Sequence, residues 1–141
     1  MAEKFSQTVP KNLHHHKGWV GELLELALGA NAACKPEPDF SHLGIELKTL
    51  PINAKLRPLE STFVSRIALL NIHQERWLTS SVWKKLSHVL WIPVLTEANI
   101  PIAQRRIATP LLWRPNEKQT AILKQDWQEL VELISLGKLD N

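Results

Sequence analysis

Helix, then strands, then helix: this order of elements predicts an α/β or α+β fold built on a mixed sheet. Three observations carry the prediction. Apolar residues recur at helical spacing in residues 17–28 and again in 116–136. Residues 88–95, HVLWIPVL, are a continuous apolar run of the length of a strand buried on both faces. Residues 43–50, LGIELKTL, alternate between apolar and charged side chains.

The elements follow one another without an internal repeat or a long linker. In KGWVGELLELAL, Val20, Leu23, Leu24, Ala27 and Leu28 form one stripe, Glu22 and Glu25 lie off it, and Gly29 is placed to stop the helix. The prolines of ANAACKPEPD forbid a continuation. In the following strand Leu43, Ile45 and Leu47 point one way and Glu46 and Lys48 the other. PINAKLRPLE reads as a turn or loop. STFVSRIAL is β-branched and aromatic enough for a second strand, the hairpin partner of the first. Residues 102–113 read as an extended segment interrupted at Pro110. The last helix is capped by Asn116 with Gln119 as its capping-box partner. Leu123, Trp127, Leu130, Val131 and Ile134 form its apolar stripe, and Gly137 ends it.

A length of 141 residues and 44% hydrophobic content suit a single domain with an ordinary core. Residues 1–16 are expected to be a mobile N-terminal segment. Six tryptophans against no tyrosine point to core or interface packing. One cysteine, Cys34, excludes an internal disulfide and a cysteine-rich zinc site and fits a reducing compartment. No run is long enough to span a membrane, and MAEKFSQTVPKNL lacks the apolar core of a signal peptide. A cytoplasmic, monomeric protein without membrane contact is the expectation. His14, His15 and His16 point in different directions on any backbone and read as the solvated start of a helix rather than a metal site.

Charge is unevenly placed. The formal total is +3, yet residues 61–115 hold seven basic and two acidic side chains, while residues 1–60 are balanced and residues 116–141 are net acidic. A basic middle is compatible with nucleic acid. Lys84, Arg105 and Arg106, within it, are candidates for phosphate contact.

The stretch PDFSHLGIELKTLP carries the chemistry. Asp39 enters the strand, Glu46 lies in it, and Lys48 follows on the same face. Two carboxylates and one ammonium around one point suit Mg2+, which takes carboxylate oxygens and keeps several waters. Such an ion neutralises a scissile phosphate and acidifies a bound water, while the lysine orients that water and stabilises phosphoryl charge. The Leu47 carbonyl, between Glu46 and Lys48, adds a ligand. The competing reading is ordinary: E-x-K on the exposed face of an amphipathic strand.

Longer stretches carry a resemblance. KGWVGELLELALGA, DFSHLGIELKTLPIN, RPLESTFV, VLWIPV, IPIAQRRIATPLLWRPNE and DWQELVELISLGKLD, in this order over roughly residues 8–140, resemble the MutH mismatch-repair endonucleases. The resemblance implies the restriction-endonuclease-like α/β fold, a mixed sheet flanked by helices with the PD-(D/E)xK motif. It implies Mg2+-dependent nicking of the unmethylated strand of double-stranded DNA at hemimethylated GATC sites, after activation by MutL in response to MutS. It implies metal-site roles for Asp39 and Glu46 and a catalytic role for Lys48. It adds Glu25 and Lys85 to the active site and places Phe63 near the DNA; otherwise these three read as a solvated helix acid, a surface lysine and a core aromatic.

Two local departures stand out. The family's usual SHVRHKL is here Ser80-Ser81-Val82-Trp83-Lys84-Lys85-Leu86, and Pro38 stands where the family usually has Gln. The resemblance also implies that the family continues past Gly137–Asn141 into a second lobe carrying most base-reading contacts. The expectation is therefore one catalytic lobe, residues 1–141. The alternatives are a catalytically weak DNA- or MutL-binding module and a restriction endonuclease of related fold.

Overall fold

The computed structural model describes residues 1–10, 18–31, 36–97 and 99–137. Residues 11–17, with His14–His16, and residues 32–35, with Cys34, lie outside the described residues. A short 3-10 turn spans Glu3–Phe5.

Helix α1 spans Trp19–Leu28. It ends because Gly29 turns left-handed, at φ 77°, which lets the Ala30 N–H reach back to the Glu25 carbonyl at 2.9 Å. Leu23 and Leu24 are buried as the stripe requires, but Leu28, the last residue of the helix, is exposed. Leu24 joins Phe40, Leu47 and Ile92 in the core between α1 and the sheet.

Among the described residues the sheet has four strands. β1, Glu46–Ile52, pairs in parallel with β2, Val89–Leu95, from Glu46↔Val89 to Ile52↔Leu95. Parallel neighbours need a crossover. Residues 53–88 supply it and include helix α2, Ser81–Leu86. On its other side β2 pairs antiparallel with β3, Arg106–Ile107, and with β4, Leu111–Trp113. Pro93 separates those two partners. Lacking an N–H, it offers only its carbonyl, which takes the Ala108 N–H at 2.9 Å. Mixed α/β architecture and a buried strand over residues 88–95 are thus as expected.

The expected hairpin is not formed. Residues 61–69 form no regular secondary structure and no strand pairing, and β1 finds its partner in β2. β-Branched composition says only that a segment suits a half-buried surface. The free edge of β1 has little left to offer: the Asp39 carboxylate already takes the Leu47 N–H at 2.8 Å, and Pro51 has none. Side chains hold the 61–69 run instead, through Lys48 on the Val64 carbonyl and Ser81 on the Arg66 carbonyl. β1 also begins later and ends later than its pattern suggests. Leu43 and Gly44 form a turn, with Gly44 at φ 65°, and the ladder continues through Pro51 and Ile52 before the turn centred on Asn53. Pro51 is tolerated because its missing N–H would face the free edge.

Helix α3 spans Glu117–Ser135 and starts with the expected capping box: Asn116 accepts from the Gln119 N–H at 2.8 Å, and Gln119 accepts from the Asn116 N–H at 3.0 Å. Gly137, at φ 64°, follows its end. Its stripe is only partly covered. Trp127 is buried, Leu123, Val131 and Ile134 are half-buried, and Leu130 is exposed. Trp127 stacks tilted on Trp77 at 5.8 Å, and Trp77 on Trp83 of α2 at 5.1 Å. Among the described residues, no helix is long and apolar enough to cross a membrane.

Because Trp127 is the main residue α3 buries, Trp127→Ala should cost about 3–5 kcal/mol of unfolding free energy, read by urea denaturation. A loss below about 1 kcal/mol would mean that α3 is held by its half-buried neighbours instead.

Candidate functional site

The register of β1 puts Glu46 and Lys48 on the sheet face away from α1, with Val89 and Trp91 beside them on β2. That face is not a solvated one: Glu46 is 3% exposed, as buried as the core leucines. Burial of a carboxylate is tolerable only with strong partners, and Glu46 has two. Lys48 Nζ lies 3.0 Å from its Oε1, and Lys85 Nζ lies 2.7 Å from its Oε2. Burial pushes the Glu46 carboxyl above its ordinary range, while the hydrogen bonds from Lys85 and Lys48 pull it back.

Asp39 stands at the free edge. Its Oδ2 accepts the Leu47 N–H at 2.8 Å, and its Oδ1 lies 4.0 Å from Lys85 Nζ. Within a strand the N–H and C=O of one residue project to the same side. The Leu47 carbonyl therefore faces the free edge where Asp39 stands. Gly44 makes this possible: the turn before β1 brings Phe40 back onto Ile45 in an isolated bridge and returns Asp39 beside the strand.

Lys85 comes from the last turn of α2. Its Nζ also donates to the Glu37 carbonyl at 2.7 Å. Lys84, next to it in sequence, is exposed, because successive helical residues point about 100° apart. Ser80 fixes the helix. It is fully buried, accepts the Trp83 N–H at 3.0 Å and donates to the Trp77 carbonyl at 2.7 Å.

Glu25, on α1, feels the same centre. Its carboxyl is raised by burial first, then by repulsion from Asp39, Glu46 and Glu22, and Lys85 opposes the rise. Phe63 is 68% exposed and not a core residue; its ring centroid lies 6.0 Å from Lys48 Nζ. Asp39, Glu46, Lys48 and Lys85 are thus brought together, with Glu25 within electrostatic reach of them and Phe63 at the margin. Arg105 and Arg106 are not part of this group. Arg105 lines a groove with Trp19, Val20 and Leu23 on the α1 side, while Arg106 is exposed beside Leu95 on the other.

Three partners left no mark in the sequence. The Glu37 and Val64 carbonyls hold the two lysines, and the His88 carbonyl takes the Glu46 N–H at 3.0 Å. Backbone groups are common to all residues, so no spacing rule finds them. Ser80 was findable as a serine before a helix, though its burial was not.

Residues 28–126 match the family model described as "DNA mismatch repair enzyme MutH". The chain belongs to the MutH family. It is 53% identical over 133 residues to the DNA mismatch repair protein MutH of a Shewanella species, covering 94% of this chain and 60% of that relative. The Vibrio campbellii protein of the same name is 54% identical over 140 residues, covering 99% of this chain and 62% of its own length. The chain thus spans about 60% of the length of these MutH relatives.

Glu25 supplies a pH test. Its raised carboxyl means that stability associated with its protonated form is complete below the ordinary 4.5 and is lost as pH rises through the raised value. Glu25→Gln should therefore raise the melting temperature at pH 7.5, with the gain disappearing below pH 4.5. A difference independent of pH in calorimetry would mean that neither burial nor the neighbouring acids raise the Glu25 carboxyl.

Proposed function

We propose that the chain carries the catalytic centre of a Mg2+-dependent DNA endonuclease with the restriction-endonuclease-like fold, acting in methyl-directed mismatch repair. In that reading the whole reaction is nicking of the unmethylated strand at GATC sites, with MutL as activator. The observation that carries it is the convergence of Asp39 and Glu46 on a single positive charge, with Lys48 bonded to the same glutamate.

That positive charge, the Lys85 ammonium, tests whether a metal ion suits the site. Two carboxylates and a backbone carbonyl already direct oxygens at one cation. Among the described residues, no three His, Cys, Asp or Glu side chains gather closely enough to hold an ion alone. This matches Mg2+, which is held by one or two carboxylates plus phosphate and water. Asp39 and Glu46 would hold it, with the Leu47 carbonyl. When bound, it supplies charge neutralisation at the phosphate and an acidified water.

The protein's own residues do the positioning. Lys48 is held between Glu46 and the Val64 carbonyl, which fixes its ammonium beside the carboxylate, where it would meet a phosphoryl oxygen. Phe63 stands exposed beside it and offers an apolar surface to a sugar or base. Lys84 and Arg106, both exposed, add phosphate contacts that carry no sequence information directly.

Lys48→Ala should abolish nicking of plasmid DNA in Mg2+ while leaving DNA affinity nearly intact, because it serves one phosphate among many. A Lys48→Ala protein that nicks at the normal rate would remove this mechanism. Asp39→Ala should abolish Ca2+ binding in calorimetry.

The chain spans about 60% of its relatives, which favours a second reading for the isolated chain: a weak, non-selective DNA-binding module. Alone it should bind duplex DNA in the non-specific range of roughly 10⁻⁴–10⁻⁶ M at physiological salt. It should distinguish poorly between unmethylated GATC, hemimethylated GATC and no GATC in matched duplexes. Strong methylation-sensitive cleavage by this chain alone would place the reading function within residues 1–141.

A further inference from the structure

We propose that Lys85 is a tethered competitor for the cation site: its ammonium stands where a divalent ion is to bind, and the ion binds by displacing it. The inference rests on the metal-dependent reading and adds how the site is kept closed before it is loaded.

The geometry separates the two lysines. Lys48 contacts one carboxylate, that of Glu46, and otherwise the Val64 carbonyl. Lys85 is the lysine that lies against both acids. Its Nζ is 2.7 Å from Glu46 Oε2, 2.7 Å from the Glu37 carbonyl and 4.0 Å from Asp39 Oδ1. Asp39 and Glu46 are the two acids proposed above to hold the ion, so the ammonium already sits against the ion's own carboxylate ligands. An ammonium has three N–H groups and meets such a set as a compact point charge. Nζ and an ion cannot occupy this position together.

Charge points the same way. Asp39 and Glu46 bring two negative charges, and Lys48 and Lys85 bring two positive ones. Without Lys85 the formal charge of the cluster falls from 0 to −1, and incoming metal meets a stronger field. The metal-free fold pays for this in the opposite sense: a carboxylate as buried as Glu46 is left with one partner instead of two. Lys85 therefore stabilises the empty site and opposes the filled one. The side chain, rather than the helix, is the part that moves, since α2 is pinned by buried Ser80 and by Trp83 on Trp77.

The test is calorimetric titration of Ca2+ into the full chain without DNA, comparing wild type, Lys85→Met and Lys85→Arg. Lys85→Met should bind Ca2+ about tenfold or more tightly than wild type, because a positive charge in contact with the ion's position is gone. Lys85→Arg keeps the charge and should stay as weak as wild type. Thermal unfolding gives a second readout: metal-free Lys85→Met should melt lower than wild type and rise further in saturating Ca2+. Should Lys85→Met fail to fold, Lys85→Gln, which keeps an N–H for Glu46, reads the same comparison. Equal or weaker Ca2+ binding by the neutral variants, with wild-type binding intact, overturns the competitor and leaves the metal reading standing. Ca2+ binding absent from all of them, or insensitive to Asp39→Ala, overturns the metal reading and the competitor with it.

Discussion

Glu46 is the constraint around which the site is arranged. A carboxylate taken out of water at the head of a strand costs several kcal/mol unless cations and hydrogen bonds replace the lost solvation. One partner, Lys48, is guaranteed by the strand, because residues two apart share a face. The other has to arrive from elsewhere. The crossover between β1 and β2 brings it, by laying α2 near the start of β1 with Lys85 pointing inward. The pairing of one side chain and the path of about a quarter of the chain are thus parts of one arrangement.

The free edge of β1 is the second element of that arrangement. An unpaired strand edge invites another strand. Here the edge is answered by a side chain, Asp39, by a proline, and by the Leu59 N–H on the Pro51 carbonyl at 3.0 Å. The same feature that stops a further strand from adding leaves the carboxylate of Asp39 beside the Leu47 carbonyl. Edge protection and the gathering of oxygen ligands are served by the same residues.

The tryptophans link the periphery to this centre. Trp127 of α3 rests on Trp77, and Trp77 rests on Trp83 in α2, one and two residues from Lys84 and Lys85. The buried Ser80 ties the same two elements with its hydroxyl. Burial of the Glu25 and Glu46 carboxyls, followed by repulsion between acids, works against their charged forms at the place where chemistry is proposed, as expected where function needs charge that folding alone would avoid.

Much of this was legible in the residues. The capping box of Asn116 and Gln119, the stop at Gly29 and the buried run of β2 depend on local backbone chemistry and periodicity, and they appear where the sequence puts them. The grouping of Asp39, Glu46 and Lys48 was legible for the same reason: a strand and its preceding turn fix their relative positions. Family membership followed from long matching stretches rather than from any of these residues singly. What only the tertiary structure decided is everything that depends on a partner distant in sequence. It chose β2 over residues 61–69 as the neighbour of β1, because strand pairing is settled by which edges are free and not by β propensity. It turned Lys85 inward and Lys84 outward, brought Phe63 out of the core, and sent Arg105 to the α1 side. Neither charge nor spacing along a chain says which way a side chain faces until the packing of other elements has fixed where water is excluded.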